Sequence, residues 1–430
     1  MTQFNFTLNT TEYNKTNIKS KLYTTQKAGY IILNNSDKKN TLNVNDYITN
    51  PECSGLYNSV ILIPDTNMVL SYSPQTEVLF NTFETTYPMI TPNIYVNEFI
   101  EGTLINLFYD FRFNSWEIAT KTAVGGDYWF YRTNYVLPTN EYATNNNHLN
   151  QPTQLTFRDM FIEAFTQNDT EKCENDLNRI QCFDIFDKYN SYSFVLQHPQ
   201  NHIILPISTP IVYLVGVYKL TSLNEVSYIS PFDYEKWDCF TSLIASNIIK
   251  FPKNYNNYNL TYEEIIRLYG SSYSGYNSLI PSTIGLLFTN TTNGIRTVVM
   301  NPIYDSIKEL RGNNPNLQYN YFNLMKTQNI TLFLTYFPVY KSLFKYFNNE
   351  YNKLITNVHQ CYYKHYVLKN YEKKISSVYR THIYKIHHQI FIPSNTLLNK
   401  IVITRKIVKT YFDNLEPKEL LYTVNQPVIL

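Results

Sequence analysis

The sequence predicts an α+β protein in which a body of antiparallel sheets precedes an all-helical C-terminal domain. From Gly55 to Met300, short apolar runs are separated by turn residues, as in 60–63, 64–67 and 68–70, which is the pattern of paired strands. Predicted strands and helices do not alternate strictly in this region, which favours antiparallel sheets over a doubly wound sheet. After Asn313, apolar residues recur at helical spacing instead.

Further strands of the body are predicted at 102–110, 116–120, 127–131, 192–197, 202–206, 211–220 and 284–289. Two helices are predicted among them, at 156–165 and 261–269. Residues 1–50 are rich in Asn and Thr and have weak periodicity, so we expect an irregular N-terminal extension or lobe there. The predicted domains are therefore 1–50, a body at 51–312 and a helical domain at 313–430.

Three long helices are predicted in the C-terminal domain. Pro338 fits the first turn of the first helix, whose inward-facing residues recur as far as Tyr362. The second helix, 376–390, is predicted to stop at Pro393, and the third spans 395–415. No internal repeat is visible.

The composition indicates an intracellular protein with a sizeable core. The 430 residues leave room for two domains or one large domain, and 40 Tyr and 26 Phe supply the apolar mass. Five scattered cysteines fit no disulfide framework and indicate a reducing compartment. The N-terminal region is polar, and the most apolar stretch, 203–220, is too short and too interrupted to span a bilayer. We expect a soluble protein without membrane contact.

Charge is distributed unevenly along the chain. Residues 341–410 contain thirteen Lys and Arg against Glu350 and Glu372, a net 13 − 2 = +11, so the remainder of the chain carries 2 − 11 = −9. A basic tail on an acidic body suggests that the tail binds a polyanion or docks on the body, while a solvated helix surface is the simpler alternative. The side chains predicted to contact nucleic acid, with RNA favoured, are Lys364, Lys369, Lys373, Lys374, Arg380 and Lys385. Six interleaved tyrosines are candidates for base stacking: Tyr362, Tyr363, Tyr366, Tyr371, Tyr379 and Tyr384.

Nine short segments of the body form a recognisable series. They are ECSGL (52–56), YSP (72–74), LFN (79–81), EFIEGTLINLFY (98–109), WEIATKT (116–122), YSFV (192–195), PQNHIIL (199–205), IGLL (284–287) and RTVVMNPIY (296–304). In this order they resemble the phage RNA ligase 1 family, and more closely the RNA ligase-like proteins of large DNA viruses. The resemblance covers about 50–312, and the helical tail is similar to that of the viral proteins.

The resemblance implies a nucleotidyltransferase fold of the RNA and DNA ligase type, ATP and Mg²⁺ as cofactors, and a lysine that attacks the α-phosphate. Carried over position by position, that chemistry is missing. Phe99 stands where the family has its lysine, and no lysine occurs between Lys39 and Lys121. The resemblance keeps the turn glycine as Gly102 and places Glu101 at a family aspartate. It places Val298 at a phosphate-binding lysine, Ser193 and Ile284 at glutamates, and Ser54 and His202 at arginines. The charged groups that the resemblance leaves for nucleotide binding are Lys121, Glu101 and Arg296.

A benzyl side chain cannot supply the amine of a phosphoramidate intermediate. Losing the lysines and the metal-side carboxylates together also removes the charge stabilisation on which nucleotidyl transfer depends. We therefore predict that adenylation is lost and that neither ATP nor Mg²⁺ is needed. Structural roles are the alternative for single residues: Glu101 within a turn, Lys121 in a salt bridge or in solvent, Gly102 for backbone freedom. His359, Cys361 and His365 point to different helix faces, so no zinc site is expected.

Three hypotheses follow from the sequence. The first is a catalytically degenerate RNA ligase-like protein that binds nucleic acid through its basic tail. The second is an active RNA ligase or nucleotidyltransferase that uses a displaced lysine. The third is a structural or interaction protein on the same scaffold. The resemblance implies the host cytoplasm or the virion of a large DNA virus as its location, and leaves protein partners unassigned.

Overall fold

A computed structural model describes residues 4–10, 17–36, 44–50, 53–128, 155–166, 177–201, 203–221, 223–270, 281, 283–314, 316–370, 376–395 and 401–426. The described residues form two compact units, one up to Ser306 and one from Ile307 onward. The first unit is built on sheets with interspersed helices, and the second is helical. The predicted α+β class is thus confirmed.

The strands of the first unit are β1 (Phe4–Thr7), β2 (Ile18–Thr24), β3 (Gly29–Asn35), β4 (Asn58–Leu62), β5 (Val69–Ser71), β6 (Ile94–Glu98), β7 (Thr103–Asp110), β8 (Ser115–Thr120), β9 (Ala123–Val124), β10 (Asn190–Gln197), β11 (Ile211–Leu220), β12 (Glu225–Ile229), β13 (Ile249–Lys250), β14 (Gly285–Asn290) and β15 (Arg296–Met300). Within the described residues they form three sheets. The large sheet has the order β1-β12-β11-β10-β7-β8-β9, with β13 added beside β11; the others are β2-β3-β4-β5 and β15-β14-β6. Only the β11–β13 pair is parallel among the described pairs.

The N-terminal residues contribute strands to these sheets, which differs from the predicted extension or lobe. β1 pairs with β12 of the large sheet, and β3 pairs with β4. The apolar residues of β3 explain the difference, because Tyr30, Ile32 and Leu33 are fully buried in the core, and β3 pairs with β2 on one side and β4 on the other. Residues as far apart in sequence as Phe4 and Tyr228 then face one another.

Most predicted strands of the body correspond to observed ones, namely β4, β5, β7, β8, β10, β11 and β14. The strand predicted at 202–206 is wrong, because residues 203–205 form a loop. In the strand predicted at 127–131, Asp127 and Tyr128 are not in a strand, and 129–131 lie outside the described residues. β6, β12 and β15 were not predicted; β6 pairs with the distant β14, whereas β12 and β15 each pair with the strand that precedes them in the chain.

The helices of the first unit are α1 (Val44–Thr49), α2 (Phe80–Thr86), α3 (Phe157–Thr166), α4 (Pro231–Tyr234), α5 (Thr241–Ala245) and α6 (Tyr262–Ile265), which continues as a π-helical turn, Ile266–Gly270. The two predicted helices are confirmed by α3 and by α6 with its π turn. Thr261 and Glu264 form a reciprocal capping box that starts α6. Helix α3 packs Phe161 and Phe165 against Phe194 of the large sheet.

The helices of the second unit are α7 (Pro302–Arg311), which begins just before the division, α8 (Leu317–Lys326), α9 (Ile330–Tyr336), α10 (Lys341–Tyr362), α11 (Ser377–Lys385), α12 (Ile392–Ser394), α13 (Arg405–Asp413) and α14 (Pro417–Asn425). Two π-helical turns extend α10 and α11, at Tyr363–Val367 and Ile386–Phe391. Helix α10 buries Phe344, Phe347, Tyr351 and Leu354 along one stripe, as its periodicity predicts.

Pro338 lies in a 3₁₀ turn, Pro338–Tyr340, that leads into α10, close to its predicted place. The predicted stop at Pro393 is displaced, because Pro393 lies within the short α12. The third predicted helix begins later than expected, at Arg405, where the Thr404 hydroxyl accepts from the amide of Ile407. No helix in the described part of the chain is both long enough and apolar enough to cross a bilayer.

Candidate functional site

The sheet β15-β14-β6 carries Val298 and Arg296, with Phe99 and Ile284 directly beside its strands. Six residues in two adjacent rows share one face of it: Asn97, Leu287 and Val298, then Tyr95, Thr289 and Arg296. Alternation along the chain places Phe99, just after β6, on the same side. The amide of Phe99 donates to the carbonyl of Gly285 at 2.9 Å, which continues the sheet contact beyond the end of the strand.

The cavity over the Tyr95 row is too small for a nucleotide. Its volume is about 20 Å³, and its wall includes Tyr95, Tyr218, Tyr228, Glu235 and Arg296. Clefts that hold drug-sized ligands have about 300–1,000 Å³, whereas about 10–15 Å³ accommodates one water. Burial raises the pKa of Tyr228 well above its usual range, so that phenol stays neutral. Tyrosine side chains thus line a cavity that has room for about one water.

Arg296, predicted to bind a nucleotide, is held within the protein. Its Nε donates to the carbonyl of Gln75 at 2.9 Å, and its Nη2 donates to Oε1 of Glu77 at 2.5 Å. Both side chains of the ion pair are mostly buried, at 13% and 17% exposure. The segment carrying Gln75 and Glu77 also pairs with β15, since the amide of Val78 donates to the carbonyl of Arg296. The guanidinium therefore fixes this segment to the sheet.

We expect Arg296→Met to lower the free energy of unfolding of the first unit by about 3 kcal/mol, because it removes the mostly buried guanidinium from its ion pair with Glu77. Urea unfolding followed by tryptophan fluorescence measures this, since all three tryptophans precede residue 238. Glu77→Gln is the matched variant, and the double variant should cost less than the sum of the two single ones. Unchanged stability combined with weaker ATP retention would instead assign Arg296 to a ligand.

Ser193, at a family carboxylate position, belongs to a fully buried polar chain. Its hydroxyl donates to Oδ1 of Asn106 at 2.8 Å, and Nδ2 of Asn106 donates to the hydroxyl of Ser73 at 2.5 Å. The Ser73 hydroxyl in turn donates to the carbonyl of Ser59 at 3.3 Å. These hydroxyl and amide groups are satisfied by one another, and none of the three side chains is exposed.

Two more positions that the resemblance singles out, Ile284 and Gly102, have packing roles. Ile284 is buried immediately before β14, and its carbonyl accepts from the amide of Asn301. Gly102 lies against strand β10, where an added Cβ would collide with the carbonyl of Leu196. Glycine is thus required there for close approach to the neighbouring strand, which is a different structural reason from the predicted backbone freedom.

Glu101 holds the loop at residues 203–205 through its side chain. Its Oε1 accepts from three successive backbone amides, those of Ile203, Ile204 and Leu205, at 3.1, 2.9 and 3.0 Å. The side chain is 3% exposed, and its Oε2 has no hydrogen-bond partner among the described residues. A loop wrapped around a carboxylate explains why the strand predicted at 202–206 does not form. His202 itself lies outside the described residues.

A larger cavity, of about 220 Å³, lies beside this turn. Its wall includes Glu98, Phe99, Glu101, Tyr213 and Lys250. Burial raises the pKa of Glu98, partly offset by the backbone amide and the charge of Lys253. Burial also raises the pKa of Tyr213, and the charge of Glu98 adds to that effect. The ammonium of Lys250 and the carboxylates of Glu98 and Glu101 thus line the same cavity as Phe99.

The sequence analysis missed Lys250, Glu98 and Tyr213. Lys250 reaches this cavity because β13 pairs in parallel with β11, which sets Lys250 beside Tyr213. A two-residue strand joined to a distant partner leaves no local pattern in the sequence. Glu98 stands three residues before Glu101, and that spacing of two acids around a phenylalanine was the only signal available.

Lys121 does not join this site. It is exposed in the turn between β8 and β9, and its carbonyl accepts from Nδ2 of Asn34 at 3.1 Å. Lys121 is not among the residues that line either cavity. Of the three charged residues predicted to bind a nucleotide, Glu101 and Arg296 therefore border different cavities and Lys121 borders neither.

The basic residues of the second unit lie at accessible positions. Lys364, Lys369 and Arg380 are exposed, and Lys385 is half-buried. Lys373 and Lys374 lie outside the described residues. From Tyr351 to Asn395 the described residues include no Asp or Glu, and Glu372 lies outside them.

The candidate stacking tyrosines divide into two groups. Tyr362 and Tyr379 are buried and pack within the helices. Tyr363 and Tyr384 are 48% and 57% exposed. Tyr366 is half-buried against the ring of His387, and Tyr371 lies outside the described residues.

No family model and no curated protein matches this chain. Among solved structures, it is similar to a variant of the Naegleria gruberi RNA ligase with ATP and Mn, at 10% identity and a TM-score of 0.37 over 59% of this chain and 62% of that one. A second variant with AMP and Mn gives 12% identity and a TM-score of 0.34 over 58% and 61%. An apo variant gives 10% and 0.35 over 54% and 56%. This chain thus spans about three fifths of the ligase structures that it matches, and the likeness is a distant one.

Proposed function

We propose that this chain is an RNA ligase-like protein that has lost lysine adenylation and that binds nucleic acid, with RNA favoured, through its basic helical unit. The loss of adenylation is supported by the side chains on one face of the sheet β15-β14-β6. There, Phe99 and Val298 replace the cations that the resemblance implies, Arg296 is bound to Glu77, and tyrosine side chains reduce the cavity to about 20 Å³. Positioned cations provide most of the catalysis in phosphoryl and nucleotidyl transfer.

The same face does not suit Mg²⁺. Glu235, which lines the small cavity, accepts from the hydroxyl of Tyr95 at 2.5 Å, and Glu77 is bound to Arg296. The family carboxylate position on β10 is Ser193, whose hydroxyl is engaged with Asn106. One oxygen of each carboxylate and the Ser193 hydroxyl are thus engaged by neighbouring side chains, which does not favour a metal ion there.

The test is incubation of the purified chain with α-labelled ATP and either Mg²⁺ or Mn²⁺, followed by denaturing electrophoresis. We expect no covalent label, because Phe99 has no nucleophilic nitrogen. A self-adenylating RNA ligase labelled in parallel serves as the positive control. Retention of label on this chain would refute the loss of adenylation.

One observation favours the second hypothesis, an active ligase or nucleotidyltransferase with a displaced lysine. Lys250 lines the cavity of about 220 Å³ together with Glu98 and Glu101, next to the Phe99 position. ATP and Mg²⁺ would be cofactors only in this case. If label is retained, Lys250→Met should abolish it and Lys253→Met should not. Label that survives both changes would exclude this site as well.

The proposed nucleic-acid binding is supported by the charge of the second unit. Neutralising Lys364, Lys369, Lys373 and Lys374 with glutamine should reduce the slope of log K against log salt by about 3 for single-stranded RNA, since each lost phosphate contact changes it by about 0.7. Four exposed lysines of the first unit, Lys19, Lys21, Lys27 and Lys236, provide the matched control. Fluorescence anisotropy of a labelled oligonucleotide at several salt concentrations measures both.

An unchanged slope would mean that the tail is not the binding element, and the third hypothesis, a structural or interaction protein, would then be preferred. We further propose the cytoplasm of an infected cell or the virion of a large DNA virus as the location, on the strength of the segment series described above.

A further inference from the structure

The ends of α10 and α11 are built around two π-helical turns, Tyr363–Val367 and Ile386–Phe391. Such turns are rare and occur often at functional sites, because an inserted residue changes the direction in which neighbouring side chains point. Here they lie side by side: the hydroxyl of Tyr362 and Nδ1 of His387 are 3.1 Å apart. Two irregular turns in contact form one local structure.

An aromatic stack holds these two turns together. The rings of Tyr366 and His387 are 3.8 Å apart between centroids and nearly parallel, at 10°. The ring of Phe391 stacks near the ring of His387, with the two centroids 5.1 Å apart and an interplanar angle of 18°. The His387 ring thus has an aromatic neighbour for stacking in each turn. The two turns are thus joined by an internal stack of rings.

A second aromatic pair lies on the outside of α11. The rings of Tyr384 and His388, one helical turn apart, have centroids at 4.1 Å and an interplanar angle of 38°. Both residues are exposed, Tyr384 at 57%. Lys385 follows Tyr384 directly, and Lys364 lies on the π turn that packs against this region. The exposed aromatic pair therefore lies in a stretch of basic residues, and the described residues from Tyr351 to Asn395 contain no acid.

We propose that Tyr384 and His388 form a base-stacking platform and that the ligand of the helical unit is single-stranded nucleic acid with unpaired bases. This inference rests on the proposed nucleic-acid binding and specifies its substrate class. Base–aromatic stacking requires a free base face, which a duplex interior does not offer, while lysines contact the backbone of either form. A ligand that used only the lysines would not distinguish the two forms.

The test compares a 12-nucleotide single-stranded RNA, its duplex and an abasic strand of equal length by fluorescence anisotropy. Wild type should bind the single strand more tightly than the duplex, and Tyr384→Ala with His388→Ala should weaken single-strand binding about 10-fold or more. Binding of the abasic strand should not change. Tyr384→Phe, which keeps the ring, should retain binding, and Tyr422→Ala, at another exposed tyrosine, is the matched control.

The outcomes separate the two proposals. If wild type binds none of the three probes, nucleic-acid binding and the platform both fail. If wild type binds with a clear salt dependence but the double variant is unchanged, or if abasic and normal strands bind equally, only the platform is overturned. Because both side chains are exposed, an unchanged far-ultraviolet circular dichroism spectrum verifies that the double variant is folded.

Discussion

Replacement of Glu101 with alanine is expected to destabilise the first unit by about 4 kcal/mol, the largest effect of any single substitution discussed for this protein. Three amides, those of Ile203, Ile204 and Leu205, donate to one carboxylate oxygen at 2.9–3.1 Å. Hydrogen bonds to charged groups contribute about 1.5–3 kcal/mol each, and a buried donor left without an acceptor costs about 1–3 kcal/mol. The three contributions share one acceptor and will not add fully.

Glu101→Gln is the matched variant, because its carbonyl oxygen still accepts while the charge is removed. We expect it to cost about 1–2 kcal/mol, less than half of the alanine effect. Tryptophan fluorescence during urea unfolding isolates the first unit, since residues 307–430 contain no tryptophan. If alanine and glutamine leave stability unchanged but alter nucleotide labelling, Glu101 serves a ligand rather than the loop.

Acidification from pH 6.5 to pH 4 is expected to remove about 3 kcal/mol from the stability of the helical unit through one residue, His382. His382 is 9% exposed, with its Nδ1 2.9 Å from the hydroxyl of Tyr411 and its Nε2 3.1 Å from that of Thr423. Burial, reinforced by the charge of Lys385, lowers its pKa to about 4. The neutral ring is therefore the form that the folded unit accommodates.

The direction of the pH dependence follows from that shift. The unfolded chain binds a proton near pH 6.5 and the folded chain only near pH 4, so the stability present above pH 6.5 is lost as the pH falls between these values. Thermal unfolding followed by helical circular dichroism at several pH values measures it. His382→Gln should remove this part of the pH dependence, and His388→Gln, at an exposed histidine, should not. Equal profiles for wild type and His382→Gln would show that carboxylates alone cause the loss.

The candidate site was only partly predictable from the local sequence. Phe99, Gly102 and Val298 were identified from the order of segments, and the structure brings Phe99 and Val298 to one face of a sheet. The engagement of Arg296 by Glu77 was not predictable, because the two residues are 219 positions apart. The burial of Ser193 among Asn106 and Ser73 was equally hidden, since three strands contribute to that chain of hydrogen bonds.

Periodicity alone determined the α+β class and the helical tail with its apolar stripe on α10, because both are properties of neighbouring residues. The resemblance singled out position 99, and the residue there, Phe99, has no amine. Only the tertiary structure decided that residues 203–205 fold around Glu101, that β1 joins the large sheet, and that Lys250 reaches the cavity beside Phe99. The physical reason is that a buried carboxylate, a sheet edge and a short parallel strand each take a partner from a distant part of the chain. Such pairings depend on the whole folded arrangement of strands, which no local pattern encodes.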